Sequence, residues 1–383
     1  MKLLFICTSL EPGRDGVGDY TRILAGECAR AGHECRLLAV NDAHLSGHAP
    51  LETSPALRLP AIMPWHERAT VALAWAQAFA PDWQSWQIVP YGFHDKGVIP
   101  REACKFAATL AQGGSWRRHV MLHELWLGLS AHESARNRIT GALQRRALKK
   151  FLLALHPDAL DTTNPTYLAA LVRNDIAASH IPIFGNIPVI APPAAVARAA
   201  GVFNGVIFGT VHPQFLPVAR RAMAALLAGA RASGGSLRIT IVGNTGAHGL
   251  GLVESLQNFA PDGQFEIRSL GEMPAEKVSL ALQEADFGIA MHPWALLGKS
   301  GVVAAMLDHG LPVFVPRDEW ALRGHAIKPF SGYWPYSSGL VERLDNMPPE
   351  HLAGWLARRR APARRAPEVA AQFLERLNTA ATA

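Results

Sequence analysis

At 383 residues the chain is longer than one ordinary hydrophobic core supports and fits two domains. Its 49% hydrophobic and 18% charged residues describe a packed globular protein and exclude a disordered one. The net charge of +6 is gathered into clusters that lack interleaved aromatics or a binding motif, which argues against nucleic acid as a partner.

The first forty residues carry the densest signal. An apolar run, Leu3 to Cys7, reads as a buried strand and leads into a loop with Gly13, Gly16 and Gly18. An amphipathic helix is expected from Val17 to Ala31, followed by a second buried strand, Cys35 to Val40. Strand, glycine loop, helix, strand is the opening of a nucleotide-binding parallel sheet, because glycines let amides at a helix N-terminus approach phosphate. A dinucleotide fingerprint is the rival. Gly16-Val17-Gly18 is followed by Asp19, Tyr20 and Thr21, so its third glycine is missing, and Asp42 after the second strand reads as a turn residue. The segment also stops being apolar at Leu10, before Glu11-Pro12-Gly13, which is unlike a secretory leader.

Alternation continues. A polar, Pro-rich stretch (Asn41 to Pro64) precedes a helix, His66 to Ala80; a strand (Trp86 to Tyr91), a helix (Arg101 to Gln112) and a strand (Arg118 to Leu122) follow. A long basic helix, His132 to Leu155, leads to a short strand, Ala159 to Thr162, and Asn164-Pro165 caps the next helix. The half closes at Ile181 to Phe184. Residues Ile187 to Ala200, Pro-rich among alanines, read as a linker. A second series has strands at Gly205 to Phe208, Leu237 to Val242, Phe265 to Leu270, Ala285 to Met291 and Pro312 to Val315, with helices between and after them. Two such series predict an α/β protein of two doubly wound, Rossmann-like domains facing a cleft. The expected division is 1–190, 201–345, and terminal helices over 346–383 that pack back on the first domain.

Three signals suggest chemistry. Gly298-Lys299-Ser300-Gly301 opens a helix, so free amides at Ser300 and Gly301, the helix dipole and the Lys299 charge suit a phosphate; a plain helix cap is the alternative reading. His123 ends a strand, where ligands of such sheets bind, and reads either as a sugar contact or as a core histidine. Glu124 beside it and Asp19 in the first loop are the carboxylates best placed as a base. Basic clusters at Arg145-Arg146-Lys149-Lys150 and Arg358-Arg359-Arg360 suit anionic headgroups, or are simply solvated faces. The four cysteines show no C-x-x-C spacing and are expected as reduced thiols of a cytoplasmic protein. No stretch approaches about 18 uninterrupted apolar residues.

The wording GVGDYTRILA…ARAGHE, the run Ala285 to Met291 with Gly298-Lys299-Ser300-Gly301, and the turn Gly310-Leu311-Pro312-Val313 together resemble the GT-B glycosyltransferases of family 4, or group 1. The resemblance implies a retaining transferase that moves a sugar from a nucleotide-diphosphate donor, such as a UDP- or GDP-sugar, to a glycan or lipid-linked acceptor. It implies no cofactor or metal; peripheral contact with the inner face of the membrane is an expectation from the basic clusters instead. It points His123 at the donor sugar. It places the donor on Gly16, Gly18, Thr210, Asn244, Gly271, Lys299, Ser300 and Gly301. Two departures stand out: the family's paired glutamates fall at Leu297 and Ala305, and its Gly-Arg and nearby Lys are replaced by Gly209-Thr210 and Gln214. A nucleotide-sugar epimerase or hydrolase, or a non-catalytic sugar-nucleotide binder, are the competing functions.

Overall fold

The computed structural model describes residues 1–191, 201–257, 259–260, 262–324, 333–344 and 348–382. They form two compact units. The first comprises Met1–Pro182, residues 322–324 and the C-terminal segment from Ala366; the second comprises Ile183–Ala321 and the segment ending at Arg365.

The first unit opens with strand β1 (Lys2–Cys7), helix α1 (Gly16–Arg30) and β2 (Glu34–Asp42). A hairpin follows, β3 (Leu51–Thr53) and β4 (Ala56–Pro60), then α2 (Trp65–Phe79) and β5 (Trp83–Ile88). Next come α3 (Arg101–Gln112), β6 (Arg117–Leu122), α4 (Ala135–Leu155), β7 (Ala159–Thr162), α5 (Pro165–Val172) and β8 (Ser179–His180). The strands lie in the order β3-β4-β2-β1-β5-β6-β7-β8, parallel except for the β3–β4 hairpin. Asn164 caps α5 with Pro165 in its first turn, the expected arrangement, its side chain accepting from the Thr166 amide.

The second unit runs β9 (Val202–Phe208), α6 (Leu216–Ala232), β10 (Ser236–Val242), α7 (Gly249–Leu256), β11 (Phe265–Gly271) and α8 (Ala275–Glu284). It continues through β12 (Phe287–Ile289), α9 (Gly301–Asp308), β13 (Val313–Val315), α10 (Trp334–Ser337), β14 (Val341–Arg343) and α11 (Leu352–Leu356). Its sheet is parallel, ordered β11-β10-β9-β12-β13-β14. The last helix, α12 (Ala366–Thr382), packs in the first unit, with the Phe373 ring tilted against Phe5 of β1 at 5.7 Å between ring centres.

In both sheets the chain adds strands on one side of the opening strand and then switches to the other. The switch falls between β1 and β5 in the first sheet and between β9 and β12 in the second. Loops leaving the C-terminal ends of such strands splay apart and leave a binding crevice. The α/β doubly wound reading is therefore correct.

Two local expectations need correction. The stretch from Asn41 to Pro64 is not a bare loop: Leu57 and Leu59 alternate with Arg58 in β4, and Arg58 reaches the buried Asp42 at 2.7 Å. The strand expected at Trp86 to Tyr91 begins earlier, at Trp83, because Gln84 and Ser85 are buried despite their polarity. Ile181 to Phe184, which closes the first series, follows the short strand β8. Most of the expected linker lies outside the described residues. Its first part is held to α8, where Ser279 accepts from the Ile190 amide and Gln283 donates to its carbonyl.

Candidate functional site

The switch point of the second sheet gathers most of the predicted donor residues. After β9 the chain turns through Gly209, whose φ of +84° suits glycine; a Cβ there would sit 3.0 Å from Val302 of α9. Thr210 Oγ1 donates to the Asn244 carbonyl at 3.2 Å, and the Val211 amide to Thr245. Asn244 Oδ1 in turn accepts from the Gly246 amide, and the Gly243 amide donates to Gly271. Thr210, Asn244 and Gly271, from three strand-end loops, are thus tied into one rim.

Helix α9 starts beside this rim. Ser300 is its N-cap: the backbone there is extended and Oγ accepts from the Val303 amide. The plain-cap reading of Ser300 is therefore realised, and the amides of the first turn still carry the positive end of the helix dipole. Positive charge gathers here. His292 is pushed down to about 3 by burial and then by Lys299, His212 and Arg317; His212 is lowered by burial, Arg317, Lys299 and His248. Groups that repel one another's protons share one electropositive neighbourhood. Lys299 contributes as expected. Arg317, buried after β13, was not singled out in the sequence; its guanidinium donates to the Met291 carbonyl, Gln214 and Glu319. Its signal was a charged cluster, Arg317-Asp318-Glu319, following directly on an apolar strand.

The missing carboxylates have a packing explanation. Leu297 and Ala305 are both buried in the core under α9. A Cβ on Gly185 would fall 2.5 Å from the Ala305 Cα, so this face of α9 has no room for a glutamate.

In the first unit the glycine loop is organised around carboxylates. Asp15 caps α1, its Oδ1 accepting from the Val17 and Gly18 amides at 2.9 and 2.7 Å. Burial raises the Asp15 pKa and those amide bonds oppose the rise. Gly18 has a packing reason to be glycine, since a Cβ would lie 2.4 Å from the Ser9 carbonyl oxygen; Gly16 is exposed with open space around it. Asp19 accepts from the Gly13 amide and pairs with Arg22. Asp42, far from a loose turn residue, is fully buried and accepts from Ser9, Leu10, His44 and Arg58, holding the loop against β2.

His123 follows β6 and is 8% exposed. Its Nε2 meets Gln87 Oε1 at 2.9 Å, and the Tyr20 ring of α1 stands edge-on to it at 4.9 Å. Burial, then His119, lowers its pKa to about 3, so the imidazole is neutral at physiological pH. Glu124 beside it is half-buried. His94 and Asp95, a weaker acceptor-side candidate after β5, pair with each other in an exposed turn.

The basic helix α4 divides by contact. Arg145 pairs with Asn174 Oδ1, and Lys149 donates to the Asn174 carbonyl at 2.8 Å. Arg136, Ile139, Leu143, Arg146, Lys150 and Leu153 instead form one exposed stripe at helical spacing, with Ile139 66%, Leu143 57% and Leu153 66% exposed. The helix contains no acidic residue. Among the described residues no helix is long and apolar enough to cross a membrane. Burial raises all four cysteine thiols, Cys35 to about 11.

The sequence matches no family model and no curated protein. Solved structures share the fold. Sucrose-phosphate synthase from Thermosynechococcus elongatus superposes with a TM-score of 0.60 at 15% identity, over 100% of both chains. The catalytic domain of starch synthase IV from Arabidopsis thaliana, bound to ADP and acarbose, gives 0.56 at 10% identity, over 100% of both. UDP-GlcNAc 2-epimerase from Methanocaldococcus jannaschii gives 0.51 at 10% identity, over 99% of this chain and 100% of that one. The chain therefore has the GT-B fold of nucleotide-sugar glycosyltransferases.

Proposed function

We propose that this protein is a glycosyltransferase that moves a sugar from a nucleotide-diphosphate donor to a glycan or lipid-linked acceptor. The observation that carries the reading is the convergence of Thr210, Asn244, Gly271, Lys299 and the N-terminus of α9 on the switch point of the second sheet. An electropositive neighbourhood of Lys299 and Arg317 beside a helix N-terminus is chemistry for a diphosphate. The same charges would stabilise the departing diphosphate, which supports a reaction without a metal ion, with a UDP- or GDP-sugar as substrate and no further cofactor. Ser300 and Gly301 complete the proposed donor contacts of the second unit. His123 contacts a sugar hydroxyl as a neutral imidazole, with Glu124 beside it in sequence and Asp19, next to the Tyr20 that packs on His123, as the proposed carboxylates.

Retention of configuration remains part of the proposal on the strength of the family resemblance alone, because the paired glutamates are absent. The α4 stripe, basic and apolar without an acidic residue, supports peripheral contact with an anionic cytoplasmic membrane face and a lipid-linked acceptor. A structural neighbour that is an epimerase keeps one second reading in view. Incubation with a panel of UDP-, GDP- and ADP-sugars in the absence of acceptor separates the two. Slow release of sugar from one donor, accelerated by a glycan or lipid acceptor, is expected. Rapid acceptor-independent conversion of the sugar would support the epimerase or hydrolase, and binding without turnover a non-catalytic role.

A further inference from the structure

The middle of the first sheet contains a continuous line of buried polar side chains that the proposed chemistry does not account for. Arg376 Nε of α12 donates to Asp161 Oδ1 at 3.2 Å. Asp161 Oδ2 meets His119 Nε2 at 3.0 Å, and His119 Nδ1 meets Ser85 Oγ at 2.9 Å. Gln87 Nε2 donates to Ser85 Oγ at 2.8 Å, and Gln87 Oε1 meets His123 Nε2 at 2.9 Å. Asp161, His119, Ser85 and Gln87 are all fully buried. A line of this kind, placed where apolar side chains would pack more cheaply, needs a reason.

We infer that Gln87, held by Ser85, His119 and Asp161, is a positioning residue that fixes the tautomer of His123, leaving its proton on Nε2 and a bare lone pair on Nδ1. The direction follows from the donors available. A carboxylate clamped by a guanidinium can only accept, so His119 carries its proton on Nε2 and offers Nδ1 as an acceptor. Ser85 donates its single proton to that nitrogen and accepts from the Gln87 amide, which can only donate. The Gln87 carbonyl oxygen then faces His123 and can only accept, so Nε2 of His123 carries the proton. Reversing the line would need a proton on both nitrogens of His119, an added positive charge in the interior of a sheet. Burial keeps the His123 ring neutral, so its remaining polar function is acceptance at Nδ1. Building on the transferase reading, His123 accepts a hydrogen bond from a sugar hydroxyl and does not donate one.

Nitrogen NMR of histidine-labelled protein tests this, with the His123 signal assigned by its loss in His123→Gln. The wild type is expected to show His123 with an unprotonated Nδ1 and a protonated Nε2. Gln87→Leu is expected to shift both nitrogens toward the average of exchanging tautomers, and Gln87→Glu, an acceptor facing the ring, to restore the wild-type pattern. Ser85→Ala, which frees the Gln87 amide to turn over, gives a second variant should Gln87→Leu fail to fold. A wild-type proton on Nδ1, an imidazolium at neutral pH, or an unchanged pattern in Gln87→Leu or Ser85→Ala would each overturn the inference. With an active donor in hand, Gln87→Leu should lower turnover up to roughly tenfold, the size of one hydrogen bond, with little change in nucleotide KM. Absence of turnover with every donor would sink the transferase reading and leave the tautomer measurement standing.

Discussion

Arg376 Nε donates to Asp161 Oδ1 at 3.2 Å, tying the last helix of the chain to the interior of the first sheet. Burial would raise the Asp161 carboxyl, but the hydrogen bonds from His119 and Arg376 outweigh it and hold the pKa below the usual carboxylate range. A carboxyl with a depressed folded pKa contributes stability that is present above the unfolded value of about 3.9 and is lost as pH falls through the folded value. Arg376→Met leaves that carboxylate buried with one partner fewer. Urea denaturation at neutral pH should show a loss of about 2 kcal/mol, the scale of a charged hydrogen bond left unmade. The acid limb of the stability profile should move to higher pH. An unchanged midpoint would mean that His119 alone satisfies Asp161.

Lys299 is the test of the donor site. It lies immediately before the Ser300 cap of α9 and helps to push the protons off His292. Lys299→Ala should weaken binding of a nucleoside diphosphate by roughly 1.5–3 kcal/mol, the range for a charged hydrogen bond. Calorimetry with UDP, GDP and ADP measures this directly. Equal affinity of variant and wild type for all three would remove the loop from the site.

Two histidines set an acid limit on the fold. His123 and His292 are both lowered to about 3 in the folded protein, by burial first and then by neighbouring cations or His119. Below the unfolded value of about 6.5 the unfolded chain binds protons that the folded chain refuses, so stability is present above that pH and falls as pH drops toward the folded value. His123→Gln removes one of these titrations. Its melting temperature should therefore fall less steeply than that of the wild type between about pH 6.5 and pH 4. Parallel profiles for the two proteins would show that His123 is already protonated in the fold.

The α4 stripe makes a prediction that separates exposed from tethered cations. Replacing Arg136, Arg146 and Lys150 by glutamine should reduce sedimentation with vesicles containing phosphatidylserine, by about 1 kcal/mol for each charge removed, and salt should weaken the wild-type interaction. Changing Arg145 and Lys149, both bound to Asn174, should have a smaller effect on vesicles and a larger one on stability. Equal sedimentation of wild type and triple variant would remove this helix from any membrane contact.

Apolar periodicity and punctuation made the architecture legible. The runs Leu3 to Cys7 and Leu237 to Val242 alternate with helices capped by Asn164 and Ser300, and a strand–helix alternation has few solutions other than parallel sheets. Lys299, Ser300 and Gly301 were visible for the same reason, since a helix start is a local event. Arg317 was not, because its place beside His292 depends on β13 lying next to β12 in the sheet. Nor were Gln84 and Ser85 visible as strand. Adjacent polar residues read as loop, and only the tertiary structure gives each a buried partner, the Leu110 carbonyl of α3 for Gln84 and His119 of β6 for Ser85.

The sequence by itself determined the two parallel sheets, the helix start at Ser300 and the strand end at His123, all of which follow from patterns within a few turns of chain. The tertiary structure decided which side chains share a neighbourhood. It set Ser85 against His119, Asp161 against Arg376, and Ala305 against Gly185, pairs separated by 34, 215 and 120 residues. Such contacts depend on strand order and helix packing, which the periodicity of any one segment does not contain.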